Sequence, residues 1–272
     1  RYDCSRYFLS RNHLNGSKIC FKCGFEYKTF KFFNKYYSNS YLRSLALIIY
    51  GKKYFKILKK DISNIFVLNN FHKDYIEKLG IEPDKITVSY NPINKIKEKE
   101  IYFNKTANYV VYAGRVVNEK GLYELIQAWK QSKTTLNLKI IGEGPIRKKL
   151  EETNKSSNIE FLGYLNQDIT LDLIKNSRAT ITVTKMYEGQ PRLLCEASSL
   201  GVPSIFPETG GISEYFPEDY PLSFEQFNNE DLINKIKLLS NDEIINGESY
   251  KVYEHINNLI NPNELIQIFE KG

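Results

Sequence analysis

Residues that titrate near neutral pH or oxidise readily are scarce in this 272-residue chain, which has three histidines, four cysteines, one methionine and one tryptophan. Three cysteines lie near the N-terminus and Cys195 stands alone. This usage does not indicate a disulfide framework, and we expect a reduced, cytoplasmic protein. Long apolar runs are missing as well. The longest, residues 45–50, is far below the roughly 20 residues that a membrane-spanning helix needs.

Neither sign of charge dominates. The chain carries 38 Lys and Arg against 32 Asp and Glu, a formal net charge of +6. This mild excess suits phosphate-bearing ligands or an anionic membrane surface, but it is too small for a dedicated nucleic-acid binder, so we expect no nucleic-acid partner. The length suits about two domains of roughly 150 residues. Because the chain begins with Arg1 and its one methionine is Met186, we expect a piece of a longer protein.

From residue 108 onward, apolar strand-like runs alternate with helical stretches. Such alternation predicts right-handed crossovers and a doubly wound parallel α/β sheet of the Rossmann-like type, whose ligands bind at the carboxyl ends of the strands. The predicted strands are 109–113, 138–141, 159–162, 179–184 and 202–206, and the predicted helices are 122–131, 146–153, 169–176 and 191–200.

The N-terminal third is patterned more weakly. Two apolar runs, 65–68 and 85–89, predict strands on either side of a helix at 72–79, and apolar residues at helical spacing predict another helix at 40–60. We therefore divide the chain into a partial N-terminal α/β domain, a linker, a sheet domain and a C-terminal helical segment. Their predicted bounds are 1–95, 96–107, 108–240 and 241–272.

The loop after the first strand of the sheet domain, residues 114–121, has two cations beside a glycine. Gly114 lets the backbone approach a ligand closely, and the planar guanidinium of Arg115 suits phosphate oxygens. Lys120 would add a second positive charge at the start of the next helix. The alternative is a solvated loop with two surface cations.

The loop after the predicted strand 179–184 contains two carboxylates separated by seven residues. Pro191 suits the first turn of a helix, which places Glu188 in the loop and Glu196 two turns inside the helix. The free amides of Arg192 and Leu193 would then form an anion site. Carboxylates beside an anion site suit the hydroxyls of a sugar attached to a phosphate. Alternatively, the first Glu is a helix cap and the second is exposed.

Glycines follow two further strands. Gly210 and Gly211 could form an amide-rich loop that faces phosphate, although one such pair also suits a simple turn. Residues 142–145, Gly-Glu-Gly-Pro, predict a turn from strand to helix and do not match a dinucleotide or P-loop fingerprint.

Taken in order, these loops resemble the retaining, two-Rossmann-domain (GT-B) glycosyltransferases of family 4, also called glycosyl transferases group 1. The resemblance implies that 108–240 binds a nucleotide-sugar donor, that 1–95 is the remainder of an acceptor-side domain, and that its first part is missing. The motifs that carry it are Gly-Arg…Glu-Lys-Gly at 114–121, Gly-x-Gly-Pro at 142–145, Phe-Leu-Gly at 161–163, Glu-x7-Glu at 188–196 and Gly-Val-Pro…Gly-Gly-x-x-Glu at 201–214.

The same resemblance assigns roles to individual residues. Arg115 and Lys120 would hold the diphosphate of the donor, Glu188 would contact the transferred sugar, and Glu196 would hold the ribose hydroxyls. Catalysis would depend on the first three, because preplaced cations stabilise the charge that builds on the departing diphosphate. The other donor-binding residues are Gly114, the amides of Arg192 and Leu193, and Gly211, with 161–165 near the base.

The implied reaction is transfer of a hexosyl group, with retention, from a nucleoside diphosphate sugar to a saccharide or lipid-linked acceptor, in surface polysaccharide or glycolipid biosynthesis. No metal or other cofactor is expected. His13, His72 and His255 fall at no family motif, so no catalytic histidine is assigned. The alternative function is a non-catalytic nucleotide-sugar binding module, because the acceptor half is incomplete.

Two further features of the sequence, both in the N-terminal third, each have two interpretations. Cys4, His13, Cys20 and Cys23 could form a zinc site, or they could be ordinary thiols in an aromatic segment. The basic, aromatic stretch 50–60 could contact a membrane surface peripherally, or it could be a half-buried helix with a solvated basic face.

Overall fold

The computed structural model describes residues 61–78, 80–93, 106–154 and 158–260, together with separate residues between 14 and 60. The cysteines and the histidine that could form a zinc site, and most of the predicted linker, lie outside the described residues.

A six-stranded parallel sheet forms the centre of the molecule. Its strands are β5 (Tyr109–Ala113), β6 (Asn137–Ile141), β7 (Ile159–Gly163), β8 (Ala179–Ile181), β9 (Ser204–Pro207) and β10 (Ser223–Phe224). Their order in the sheet is β10-β9-β8-β5-β6-β7. The chain runs outward from β5 through β6 to β7, then returns to the other side of β5 for β8, β9 and β10. The order therefore reverses between β5 and β8, where doubly wound sheets bind their ligands.

Helices cover both faces of this sheet, because consecutive residues of β5, which point to opposite faces, are apolar and fully buried. Val110 packs in one core cluster with Trp129 and Ile236, while Val111 packs in the other with Ile174 and Ala197. The fold class predicted from the alternation of strands and helices is confirmed. The helices are α2 (Leu122–Ser132), α3 (Arg147–Thr153), α4 (Gln167–Lys175), α5 (Arg192–Ser199), α6 (Asn229–Leu238) and α7 (Asp242–Leu259).

A smaller β-α-β unit lies on the N-terminal side, as the apolar runs predicted. It consists of β3 (Ile65–Val67), α1 (Asn70–Lys78) and β4 (Ile86–Val88), and the two strands pair in parallel. Val67 and Ile86 are buried together in its small core. We refer to this part as the β3–α1–β4 unit. Further upstream, β1 (Leu14–Asn15) and β2 (Lys18–Ile19) pair antiparallel.

Several elements differ from the sequence-based expectation. The strand predicted for 179–184 ends at Ile181, so its last residues join the loop before Glu188. The sequence analysis did not predict β10 or α6. Helix α7 lies within the predicted C-terminal helical segment and packs into the same core as α2, through Val252 and Ile256. The division of the chain into domains stays a prediction.

The basic helix predicted for 40–60 is described only at separate positions. All of these are helical and exposed: Leu42, Ala46, Ile49, Lys53, Lys56, Ile57, Lys59 and Lys60. Within the described ranges, no helix combines the length and apolarity needed to cross a bilayer.

Candidate functional site

Gly114 and Arg115 directly follow β5, at the carboxyl edge of the sheet, and both are exposed. The hydroxyl of Tyr112, at the end of β5, turns back and donates a hydrogen bond to the Arg115 carbonyl at 3.0 Å. The Tyr112 side chain is almost fully buried, so this hydrogen bond anchors the turn at Arg115 to the core. The Arg115 guanidinium forms no ion pair within the described part of the chain.

Gly142 allows this turn to rest on the neighbouring strand end. Its φ is +132°, and a Cβ at this position would lie 1.9 Å from the Gly114 carbonyl oxygen. The two strand ends are joined by a hydrogen bond from the Gly114 amide to the Ile141 carbonyl at 3.0 Å. The sequence predicts only a turn at 142–145. In the structure this turn also packs directly against the backbone of the Gly114 loop.

Lys120 and Glu188 come from different loops and meet where the strand order reverses. Lys120 ends a short 3₁₀ turn after β5, and its Nζ lies 2.5 Å from Glu188 Oε1. Thr184 donates its hydroxyl to the same oxygen at 2.8 Å. No described residue donates a hydrogen bond to Glu188 Oε2, which leaves that oxygen for an incoming hydroxyl donor.

Three effects act on the ionisation of the Tyr112 phenol. Burial raises its pKa, the nearby Glu188 carboxylate raises it further, and the Arg115 guanidinium lowers it.

Glu196 is buried in the second turn of α5, and only 7% of its side chain is exposed. Its Oε1 accepts hydrogen bonds from Arg192 Nε at 2.9 Å and from Gln167 Nε2 at 3.1 Å. The arrangement resembles that of Glu188: one oxygen is held by the protein, and no described residue donates a hydrogen bond to the other.

Helix α5 begins with free amides beside these carboxylates. Pro191 is its N-cap rather than part of its first turn, and no side chain caps the helix. The amides of Arg192 and Leu193 donate no hydrogen bond to any described residue. Free amides at a helix N-terminus are suited to hold an anion.

Gly211 lies next to the backbone of Glu188. Its amide points at the Glu188 carbonyl, at 3.5 Å, and its Cα faces the side chain of Asn69 from the β3–α1–β4 unit. The structure thus brings Arg115, Lys120, Glu188 and Glu196 to one edge of the sheet, while the Gly211 amide is directed at the protein itself.

Three residues of this site have no motif that marks them in the sequence. Tyr112 supports the Arg115 turn, Thr184 shares Glu188 Oε1 with Lys120, and Gln167 holds Glu196. One signal was available for Gln167, because it follows β7 at the carboxyl edge of the sheet, where ligand-binding loops are expected.

The sequence model for glycosyl transferases group 1 matches residues 94–257, which is more than half of the chain. The chain belongs to this family. This group 1 chain is 29% identical over 202 residues to the uncharacterized glycosyltransferase MJ1178 of Methanocaldococcus jannaschii, covering 72% of this chain and 55% of that protein. It is also 31% identical over 107 residues to the putative teichuronic acid biosynthesis glycosyltransferase TuaC of Bacillus subtilis, covering 39% of this chain and 26% of that one.

The fold of this group 1 chain is that of the GT-B glycosyltransferases. It is similar to Anabaena HepE, solved in complex with UDP and glucose, with a TM-score of 0.69 at 15% identity, over 81% of this chain and 65% of HepE. The chain spans about half the length of MJ1178 and about a quarter of TuaC.

Proposed function

We propose that this chain is the donor-binding part of a retaining hexosyltransferase that uses a nucleoside diphosphate sugar. The observation that carries the proposal is the contact between Lys120 and Glu188 at the reversal of strand order, beside the free amides of α5. A cation and amides suit a diphosphate, and a carboxylate with one unused oxygen suits a sugar hydroxyl.

Stabilisation of the leaving diphosphate is the main chemical task of this site. Negative charge builds on the diphosphate as the bond to the sugar breaks, and preorganised cations and amides stabilise that charge without reorganising at the moment of reaction. Arg115 and Lys120 would supply the cations, and Arg192 and Leu193 the amides. Because these groups can carry the charge, we assign no metal or other cofactor to the step.

During donor binding, the Lys120 ammonium would interact with both Glu188 and a phosphate oxygen of the donor. Its ammonium contacts Glu188 Oε1, and an incoming phosphate oxygen would compete for the same three N–H donors. Thr184 keeps its hydrogen bond to Glu188 Oε1, so the carboxylate stays oriented if the ammonium turns toward the phosphate. Glu188 Oε2 would then accept a hydroxyl of the transferred hexose.

The nucleoside end of the donor would lie at Glu196. Ribose hydroxyls are donors that could use its second oxygen, while Gln167 and Arg192 hold the first. The strand-end loop around Phe161 and Leu165 would flank the base.

The acceptor in this proposal is a saccharide or a lipid-linked saccharide, and the pathway is surface polysaccharide or glycolipid assembly. The similarity to TuaC and to the amylovoran biosynthesis glycosyltransferase AmsD of Erwinia amylovora supports it, because both names associate the family with polysaccharides. We further propose a cytoplasmic protein that contacts the membrane peripherally. Exposed lysines on the 40–60 helix, such as Lys53, Lys56 and Lys60, suit anionic headgroups.

Thermal unfolding in the presence of a panel of nucleoside diphosphate sugars tests the donor assignment. A ligand at a hundred times its Kd stabilises the folded state by about 2.7 kcal/mol, which gives a measurable rise in Tm. We expect at least one sugar nucleotide to raise the Tm, and Lys120→Ala to reduce the rise. If no member of the panel shifts the Tm, the proposed function is wrong.

A non-catalytic nucleotide-sugar binding module is the second candidate. It rests on the same observation, because a cation, two carboxylates and free helix amides can bind a sugar nucleotide without transferring the sugar. Both candidates predict donor binding, but only the first predicts release of free nucleoside diphosphate when donor and acceptor are supplied to a protein that includes a complete acceptor side.

A further inference from the structure

The loop that contains Glu188 is held from outside the sheet domain. The Tyr187 ring stacks on Phe71 of α1, with ring centroids 5.3 Å apart. The Gly189 carbonyl accepts a hydrogen bond from Asn69 Nδ2 at 2.9 Å. Gln190 pairs with the Asn91 backbone, its Oε1 accepting from the amide at 2.6 Å and its Nε2 donating to the carbonyl at 2.9 Å. The β3–α1–β4 unit therefore contacts both flanks of Glu188.

The Asn69 side chain forms hydrogen bonds with both α1 and the loop that contains Glu188. Its Oδ1 accepts a hydrogen bond from the His72 amide at 2.9 Å, which caps the start of α1, while its Nδ2 reaches the Gly189 carbonyl. The residue is fully buried. A Cβ at Gly211 would lie 2.1 Å from Asn69 Nδ2, so the second glycine of the Gly-Gly pair provides the space that the Asn69 side chain occupies.

Glu214 fixes the start of α1 to the sheet domain. Its Oε2 accepts from the Asn70 amide at 2.7 Å and from Asn70 Nδ2 at 2.9 Å, and its Oε1 accepts from the Phe71 amide at 2.8 Å. The Tyr215 hydroxyl donates to the Leu68 carbonyl beside it. A carboxylate at a helix N-terminus satisfies free amides and interacts favourably with the helix dipole.

We propose that Asn69, held in place by Glu214, is a positioning residue that fixes the loop 187–190 and thereby aims the Glu188 carboxylate at the transferred sugar. This inference rests on the proposed function and extends it, because it makes sugar recognition depend on the β3–α1–β4 unit. It predicts a loss that is specific for the sugar, since Asn69 contacts the Glu188 loop and forms no described contact with Arg115 or Lys120.

The substitution Asn69→Ser separates the two tasks of this residue. A serine hydroxyl still caps α1, because serine is among the preferred N-cap residues, but it is too short to reach the Gly189 carbonyl. A purely structural role for Asn69 as a cap therefore predicts that Asn69→Ser resembles the native protein and that only Asn69→Ala differs.

The experiment measures the affinities of the full 272-residue chain for UDP and for UDP-glucose. For Asn69→Ser we expect a lowered but still cooperative unfolding midpoint, because the Gly189 carbonyl loses its buried donor, together with unchanged UDP affinity and UDP-glucose affinity weakened about five- to tenfold. In a Glu188→Gln background, Asn69→Ser should weaken UDP-glucose binding much less, because its effect passes through Glu188. Equal losses for UDP and UDP-glucose, or full additivity with Glu188→Gln, would overturn the proposal.

A second measurement does not require any ligand. Limited trypsin digestion reports the mobility of the loop, because Arg192 flanks it and its side chain is 64% exposed. We expect faster cleavage after Arg192 in Asn69→Ser and Glu214→Gln, and native cleavage in the control Glu218→Gln, an exposed acid near Glu214. Native cleavage rates in both test variants would overturn the inference even if the chain bound no sugar nucleotide, and Glu214→Gln decides the question if Asn69→Ser does not fold.

Discussion

Arg115 and Lys120 are close in sequence but differ in their surroundings. Lys120 already contacts Glu188, whereas the Arg115 guanidinium is exposed and has no ion-pair partner among the described residues. A cation without an internal partner loses nothing within the protein when it binds a phosphate. We therefore assign most of the diphosphate affinity to Arg115.

The substitution Arg115→Ala tests this assignment. Charge-assisted hydrogen bonds contribute about 1.5–3 kcal/mol, so the affinity for UDP should fall roughly 10- to 100-fold, while the ratio of UDP-glucose to UDP affinity stays the same. In a complete enzyme the variant should slow transfer more than it weakens sugar recognition. Isothermal titration with Lys237→Ala, an exposed cation on α6, is the matched control, and equal losses in both variants would contradict the assignment.

His72, at the start of α1, gives the fold a pH dependence. Burial lowers the pKa of His72 below its ordinary value of about 6.5, and Glu214 opposes the shift in part. The unfolded chain therefore takes up a proton at higher pH than the folded chain does, so the free energy of unfolding should fall as pH falls below about 6.5. Urea unfolding between pH 7.5 and 5.5 should show a shallower decline for His72→Gln than for the native chain. Parallel declines would contradict the prediction.

At the scale of elements, the turn after β6 supports the loop after β5 by direct backbone contact. Gly142→Ala would place a Cβ against the Gly114 carbonyl at a φ that alanine rarely adopts, so we expect a loss of more than about 2 kcal/mol in the free energy of unfolding. Gly247→Ala is the control. Gly247 is exposed in the middle of α7, and a Cβ there would meet no atom within 4 Å. This variant should gain about 0.5–1 kcal/mol. Urea unfolding measures both, and similar effects would contradict this account of Gly142.

At the scale of the whole molecule, two parts of the chain share one site. The sheet domain supplies the cations and carboxylates, and the β3–α1–β4 unit holds the Glu188 loop through Asn69 and Glu214. In the proposed function, the positive charge that would face the diphosphate comes from side chains and helix amides. We therefore expect UDP affinity to be unchanged by excess EDTA, measured by titration with and without added Mg²⁺. A large loss on chelation that Mg²⁺ restores would show that a metal carries part of that charge.

Local pattern alone determined the architecture of the sheet domain from residue 109 to 206. Apolar runs of strand length alternating with helical periodicity leave a parallel sheet with two covered faces as the consistent arrangement, and every predicted strand and helix from 109 to 206 is present within a few residues. The candidate residues at the strand ends followed from the same logic, because the carboxyl ends of parallel strands meet at one edge.

Only the tertiary structure decided which side chains meet. Glu188 contacts Lys120 across 68 residues of chain, and Asn69 reaches Gly189 across 120. The Gly-Gly pair predicts that Gly211 faces phosphate, whereas in the structure the Gly211 amide points at the Glu188 carbonyl and Asn69 occupies the space beside its Cα. Local periodicity specifies which face of an element is buried, but a contact between distant loops depends on how whole elements pack, and no short-range pattern records that.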